Sequence, residues 1–146
     1  DAGEVGATFL AMAGLERLGL SEVVSAALEP EEMLPAVAQG AIGIECRSAD
    51  DPVLELLSRI NDADTMVRIT AERAFLGALD GSCRTPIAAL AELAGDRLRL
   101  RGLVARTDGS EVARIEAGSS PQDAARIGTE TGDELRGRLD PGFFAA

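Results

Sequence analysis

The chain has 146 residues, of which 46% are hydrophobic, and it carries a formal net charge of −11 at pH 7. This length and apolar content suffice for one complete core, whereas the negative charge excludes nucleic acid as a partner, because phosphate backbones are bound by clustered Lys and Arg. Neither a membrane span nor a signal peptide is predicted, since no apolar run approaches the roughly 20 residues that cross a bilayer, so we expect a cytoplasmic protein.

The first elements predicted along the chain are two helices and a strand. Apolar residues at helical spacing indicate a helix over residues 7–18, and Gly19 supplies its stop signal. A shorter helix follows over residues 21–28. Residues 41–46 form an apolar, partly β-branched run, which predicts a buried strand. The chain starts at Asp1 without Met, and its first apolar stretch begins as though within a domain, so we expect a cleaved or truncated product.

The middle of the chain is predicted to be helical. Asp50 or Asp51 can cap a helix over residues 52–60, with a proline in its first turn. A longer helix is expected over residues 63–79, where the apolar side chains form one broad stripe. Cys83 then follows shortly after the end of this helix.

The last part of the chain predicts a small sheet followed by a helix. We expect strands over residues 87–93, 98–105 and 111–116. A turn at residues 107–110 joins the last two strands, so an antiparallel sheet of three strands is the most economical arrangement. Ser120 is the predicted cap of a final helix over residues 121–139. Because helices and strands are segregated along this part of the chain, the predicted fold class is α+β.

The two cysteines lie in different settings. Cys83 follows a helix end in a Gly-Ser-Cys segment, where an accessible thiolate near Arg73 and Arg84 can act as a nucleophile. A cysteine at a helix end is more commonly a small apolar residue without chemistry. Cys46 ends the predicted buried strand, and we assign it no chemistry. The two cysteines lack the paired spacing of a zinc site and the chain has no His, so no metal site is predicted. Because the two cysteines lie in different predicted domains, a redox pair is not expected either.

Three segments of the chain carry a resemblance to a known family. In chain order they are Ala13 to Gly19 (AGLERLG), Leu34 to Glu45 (LPAVAQGAIGIE) and Glu72 to Ile87 (ERAFLGALDGSCRTPI). These segments resemble the signatures of the porphobilinogen deaminase family in order and spacing. The resemblance covers nearly the whole chain and weakens only after about Gly137.

The resemblance implies an architecture of three domains. The family's first two domains are similar to periplasmic binding proteins, and its third is a small α+β unit that carries the cysteine. On this mapping, residues 1–34 end the second domain, and residues 35–60 are a crossover strand and helix that return to the first. Residues 61–146 then form the complete third domain, with a three-stranded antiparallel sheet and about three helices. The partner of this chain would be the N-terminal half of the same protein, in a monomer.

The resemblance also implies an activity and a site. Members of the family, also called hydroxymethylbilane synthases, are transferases of tetrapyrrole and heme biosynthesis. They join four porphobilinogen molecules, with loss of ammonia, on a dipyrromethane primer. That cofactor would be held by a thioether to Cys83, with Arg17 near its carboxylates and with Gln39 and Gly40 lining the cleft. The family's catalytic aspartate falls outside this chain, so the resemblance implies no catalytic residue here and an inactive isolated chain.

The chain departs from the family pattern at a few positions. Ala38 stands where the family usually has glycine, Gly6 replaces a usual aspartate, and the customary apolar helix is missing after Gly137. Ala38 would stiffen the crossover if a positive φ is required there. The competing interpretation is a non-catalytic ligand-binding or interaction module, in which the Gly-Ser-Cys loop is only a tight turn. Pyrrole units on Cys83 would separate the two interpretations.

Overall fold

The computed structural model describes residues 3–81, 85–140 and 142–143 of the chain. The chain divides into two units, residues 1–33 and residues 34–146. The sheet and the helices that pack on it belong to the second unit.

The first unit contains helix α1 (Met12–Leu18) and a 3-10 turn (Ser21–Val23). The helix predicted over residues 7–18 is therefore wrong in its first part, because helical structure begins only at Met12. Ala11, at the N-cap, has no side-chain oxygen to accept first-turn N–H groups, and a short exposed helix gains little from packing. The helix predicted over residues 21–28 is also wrong, since only the 3-10 turn forms.

The strand predicted over residues 41–46 does not form. Ile42 is 92% exposed and Ile44 is 59% exposed. A strand needs a neighbour to satisfy its backbone N–H and C=O groups, and none of the described residues pairs with this segment. An apolar, β-branched run is thus insufficient to form a strand without a partner.

Helix α2 (Asp51–Ser58) forms close to its predicted position, but without the predicted cap. Asp50 is the N-cap residue, and its carboxylate accepts a hydrogen bond from Arg47 Nη2 at 2.6 Å instead of binding the first turn. Leu54 and Leu56 remain exposed on this helix.

Helix α3 (Ala63–Ala78) forms as predicted, and Asp62 caps it. The carboxylate of Asp62 accepts a hydrogen bond from Thr65 N at 2.6 Å, which satisfies one of the open donors of the first turn. The hydrogen bonds from Thr65 lower the pKa of Asp62 below its ordinary value. The start of α3 is therefore defined by a charged cap.

The predicted antiparallel sheet is confirmed. Its strands are β1 (Ile87–Ala94), β2 (Arg97–Ala105) and β3 (Val112–Ser119), in the spatial order β1-β2-β3. Ala91 lies opposite Leu100 in the first pair of strands. The predicted third strand ended too early, because the observed β3 continues to the residue opposite Leu98.

Helix α4 (Ala124–Arg138) follows a 3-10 turn over Pro121–Asp123. The predicted side-chain cap by Ser120 is wrong, because its hydroxyl accepts no hydrogen bond from a first-turn N–H group and instead donates to Asp123 Oδ2 at 2.9 Å. Among the described residues, no helix is both long and apolar enough to cross a membrane.

The core lies between one face of the sheet and helices α3 and α4. Its fully buried members include Phe75 from α3, Leu135 from α4, and Leu98 and Leu100 from β2. The two helices approach closely at Gly128, where a Cβ would lie 2.2 Å from the carbonyl oxygen of Ala71. The close approach explains why small residues line the contact between these helices.

The opposite face of the sheet carries charged side chains. Arg99 donates two hydrogen bonds to the carboxylate of Glu116, each at 2.8 Å, across β2 and β3. Arg101 pairs with Glu92 at 3.0 Å across β1 and β2. The alternation of buried and exposed residues in the strands therefore follows from a sheet with helices on one face only. The predicted α+β class is confirmed.

Candidate functional site

The segment that carries Cys83 leaves the C-terminal end of α3. Two backbone N–H groups turn back onto the helix, since Asp80 N donates to Gly77 O at 3.1 Å and Gly81 N donates to Leu76 O at 3.0 Å. Asp80 takes a left-handed φ of 51°. These bonds satisfy carbonyl groups that a helix end leaves open, and they set the direction in which the chain departs.

Gly81 is held between the end of α3 and the start of β1. A Cβ at this position would lie 2.4 Å from Leu76 Cδ1 and 2.6 Å from Ile87 Cδ1, so only glycine fits without displacement of these side chains. The loop therefore starts from a point that is packed on both sides.

The other end of the loop joins the sheet. Ala105 N in β2 donates to Pro86 O at 2.9 Å, which extends the ladder by one bond before β1. Residues 82–84 lie outside the described residues, and they include Cys83 and Arg84. The assignment of Cys83 as the attachment site therefore stays a prediction.

An arginine from α4 lies at the entrance of the loop. Arg136 Nη1 lies 3.0 Å from Asp80 Oδ2 and donates to the carbonyl oxygen of Ala78 at 3.2 Å. A cation is favourable at this place, because the last carbonyl groups of a helix carry partial negative charge. Arg73, expected from the sequence to lie near Cys83, is exposed, whereas Arg136 was not predicted. No local pattern reveals a contact across 58 residues of sequence.

The crossover segment lies along the outer edge of β1. Ala36 forms an isolated antiparallel bridge with Ala88, and Ala89 N donates to Pro35 O at 3.2 Å. The crossover therefore covers part of an edge that would otherwise present open N–H groups, through one bridge and one further backbone hydrogen bond.

The next connection at this edge is made by a side chain. Glu72, on α3, is 5% exposed, and its two carboxylate oxygens accept separate backbone hydrogen bonds. Oε2 accepts from Ala38 N at 2.7 Å, and Oε1 accepts from Ala91 N at 2.8 Å. A single carboxylate thus joins the crossover, the edge strand and the helix that leads to Cys83.

Burial and hydrogen bonding act in opposite directions on the carboxyl group of Glu72. Desolvation has the larger effect and raises its pKa above the ordinary value, whereas the amides of Ala91 and Ala38 and the charge of Arg68 lower it. Glu72 was not predicted as a site residue. A helical glutamate is usually a solvated surface residue, so its burial had no signal in the sequence.

The crossover turns sharply after its contact with Glu72. Ala38 has a φ of 57° and Gly40 a φ of 84°. Ala41 N donates to Ala38 O at 3.2 Å across the turn, and Gln39 and Gly40 are both exposed. Ala38 therefore occupies the backbone region that favours glycine, as the family pattern indicated. The backbone of the turn is accessible to a ligand.

The remaining predicted site residue lies in the first unit. Arg17 is in the last turn of α1 and is exposed, and Gly19 ends that helix with a φ of 68°. Within the second unit, Gln39 and Gly40 lie in a turn attached to the domain that carries Cys83. Cys46 is a free, partly buried cysteine.

These features define a class of small α+β domains in which the segment after a helix end carries a cysteine and an upstream crossover turn is anchored to the same helix. The family model of the porphobilinogen deaminase C-terminal domain matches residues 66–137, a range that includes Cys83. The model described as the porphobilinogen deaminase dipyromethane cofactor binding domain matches residues 1–55, which include Arg17, Gln39 and Gly40. The chain belongs to the porphobilinogen deaminase family.

Individual relatives agree with the family models. The chain is 59% identical over 138 residues to a porphobilinogen deaminase of Paracoccus denitrificans (strain Pd 1222), covering 94% of the chain and 44% of the relative. It is 48% identical over 146 residues to a chloroplastic porphobilinogen deaminase of Oryza sativa subsp. japonica, covering 97% of the chain and 40% of the relative. The chain thus spans less than half the length of these relatives.

Proposed function

We propose that the chain is the C-terminal part of a hydroxymethylbilane synthase, which joins four porphobilinogen molecules head to tail. In each addition, the aminomethyl carbon of the incoming porphobilinogen loses its amine as ammonia and bonds to the free α-carbon of the terminal pyrrole, which loses a proton. The 59% identity to a porphobilinogen deaminase carries this proposal. The activity belongs to the full-length protein, which in this proposal acts as a monomer in the cytoplasm.

In this proposal Cys83 holds the dipyrromethane through a thioether. The bound dipyrromethane supplies the terminal pyrrole to which the first porphobilinogen is joined. The packed position of Gly81 and the ladder bond of Pro86 fix the two ends of the loop, so the tether starts from a rigid domain. A rigid starting point suits a site that must receive successive substrates at one place.

The other proposed contacts neutralise or orient the carboxylates of the pyrrole chain. Arg17 presents a planar guanidinium that suits acetate and propionate groups. Gln39 and Gly40 offer an exposed side-chain amide and exposed backbone in a turn held to the Cys83 domain. The described residues fit a polycarboxylate in these respects. The chain's net charge of −11 indicates that most of the positive charge for this ligand comes from the N-terminal half.

Intact-protein mass spectrometry of the full-length protein tests the attachment site. Cys83→Ser keeps nearly the same volume but replaces the thiol with a weaker nucleophile, so the variant should fold, lack two linked pyrrole units and give no colour with an aldehyde reagent. Cys46→Ser is the matched control and should retain both properties. Pyrrole units on the Cys83 variant, or their loss from a folded Cys46 variant, would show that the assignment is wrong.

A further inference from the structure

Glu72 differs from the residues assigned so far, because it is a buried acid whose hydrogen-bond partners, among the described residues, are backbone N–H groups. Its two acceptor oxygens serve two different parts of the second unit, Ala38 in the crossover and Ala91 in the edge strand. Without these two hydrogen bonds the burial of Glu72 would destabilise the fold, since removing a carboxylate from water is costly unless it is hydrogen-bonded.

The hydrogen bond from Ala38 to Glu72 replaces one that a residue of a regular strand would make with the backbone of the neighbouring strand. Up to Ala36 the crossover pairs with β1 through main-chain groups. At Ala38 the backbone turns into the left-handed region, and its N–H points to Glu72 instead. Since a left-handed alanine is unfavourable by itself, the hydrogen bond to a charged acceptor stabilises this turn.

The helix that carries Glu72 also leads to the cysteine loop. From Glu72 the α3 helix runs to Ala78, and the packed Gly81 follows. One rigid element therefore connects the carboxylate that holds the Gln39–Gly40 turn with the loop that carries Cys83.

We propose that Glu72 is a positioning residue, whose carboxylate holds the Gln39–Gly40 turn at a fixed place on α3, the helix that precedes Cys83 in the chain. This inference rests on the proposed function, in which the turn and Cys83 hold the same pyrrole chain. Glu72 acts through the backbone of Ala38 and makes no contact with the substrate itself. Release of Ala38 leaves the tether intact but misplaces the turn that orients the pyrrole chain.

The substitution Glu72→Gln in the full-length protein tests this role. Glutamine keeps one acceptor oxygen but replaces the other with an N–H₂ donor, so one of the two backbone N–H groups loses its partner. Ala91 is held in the ladder opposite Leu100, whereas Ala38 lies in a turn. We therefore expect Ala38 to be released, with hydrogen exchange of its amide accelerated about ten-fold or more and that of Ala91 little changed.

The kinetic readout separates positioning from folding. For Glu72→Gln we expect kcat for porphobilinogen to fall about ten-fold or more, while KM changes less than about two-fold. The mass of the pyrrole units on Cys83 and the unfolding midpoint should stay close to those of the unmutated protein. Glu130→Gln is the matched control, because Glu130 is exposed on α4 and pairs only with Arg126 among the described contacts, and it should change none of these quantities.

Several outcomes would overturn the proposal. Loss of the pyrrole units together with kcat in a folded variant would make Glu72 a structural residue, and faster exchange at Ala38 with normal kcat would show that the turn does not orient the substrate. If Glu72→Gln does not fold, Glu72→Asp, which is too short to reach both N–H groups, must give the same pattern. In the unmutated protein, an Ala38 amide that exchanges like an unprotected one would equally refute the contact. If the unmutated full-length protein does not turn over porphobilinogen, the proposed function fails, while the exchange experiment still decides the contact with Ala38.

Discussion

The ring of Phe75 lies directly against the backbone of Gly102. A Cβ on Gly102 would come within 2.3 Å of the ring atom Cζ and within 3 Å of its two neighbours, Cε2 and Cε1. Phe75 is fully buried and stands on α3, while Gly102 is in the middle of β2. The ring thus occupies the space that a side chain on the central strand would fill, and it sets how closely the helix approaches the sheet.

Gly102→Ala should therefore destabilise the chain. The added methyl group must displace a fully buried ring in a close-packed core, which costs about 1–3 kcal/mol. Urea unfolding measures the difference. Gly137→Ala is the control, because Gly137 lies in α4 with nothing within 4 Å of a Cβ, so its substitution should stabilise the helix by up to about 1 kcal/mol. Equal effects of the two substitutions would contradict the contact.

Ala38→Gly should stabilise the chain, although alanine is usually the more stable residue. The left-handed φ of 57° costs alanine about 1–2 kcal/mol, more than the roughly 0.5–1 kcal/mol of additional chain entropy that glycine loses on folding. We expect a net gain of about 0.5–1 kcal/mol by denaturant unfolding. Ala125→Gly, at an exposed position in α4, should have the opposite sign. A loss of stability on Ala38→Gly would show that the turn takes another conformation in solution.

Asp62→Ala should lower the stability of the chain at neutral pH but not in acid. Since the pKa of Asp62 is lowered in the folded state by its hydrogen bonds to Thr65, its stabilising effect is present above the unfolded-state pKa and is lost as the pH falls through the folded-state pKa. Thermal unfolding of both proteins across the acid range measures this difference. Asp62→Asn, which keeps a capping oxygen without a titratable group, is the control: it should be more stable than Asp62→Ala, and the difference between these two variants should not change with pH. A difference that persists unchanged into acid would contradict the charged cap.

A fragment of residues 34–146 should be more stable than a fragment of residues 61–146. The shorter fragment lacks the crossover, so the outward N–H group of Ala89 loses its acceptor, Pro35 O, and the buried carboxylate of Glu72 loses one of its two donors, Ala38 N, which opens the β1 edge. We expect a lower unfolding midpoint and concentration-dependent association for the shorter fragment, measured by urea unfolding and light scattering. Identical behaviour of the two fragments would show that the boundary predicted near Asn61 is sufficient for folding.

The sequence predicted those elements whose partners lie nearby in the chain. The helix over residues 63–79 and the hairpin with its turn at residues 107–110 were predicted because an apolar stripe and a turn sequence are local signals. The run over residues 41–46 has an equally clear strand pattern, yet no described residue pairs with it. Local pattern reports what a segment can form, whereas a strand depends on what lies beside it.

The residues of the candidate site likewise fall into those that the sequence predicted and those that it did not. Cys83, Gln39 and Gly40 stand in segments that resemble a family, so they could be named from sequence. Glu72 and Arg136 could not, because each acts on backbone groups that are distant in sequence: Ala38 lies 34 residues from Glu72, and Ala78 lies 58 residues from Arg136. A backbone N–H or C=O group exists at nearly every residue, so the residue type at the partner position does not indicate that a distant side chain binds its backbone.

The cover over the β1 edge also has a consequence for synthesis on the ribosome. Because Pro35 and Ala36 precede β1 in the chain, they emerge from the exit tunnel before the strand that they protect. The N–H groups of Ala89 and Ala91 therefore emerge only after their acceptors, which are Pro35 O and the carboxylate of Glu72. A nascent chain in this order never exposes the bare edge to neighbouring nascent chains, whereas a circular permutant with residues 34–40 at its C-terminus would do so for the whole time needed to complete translation.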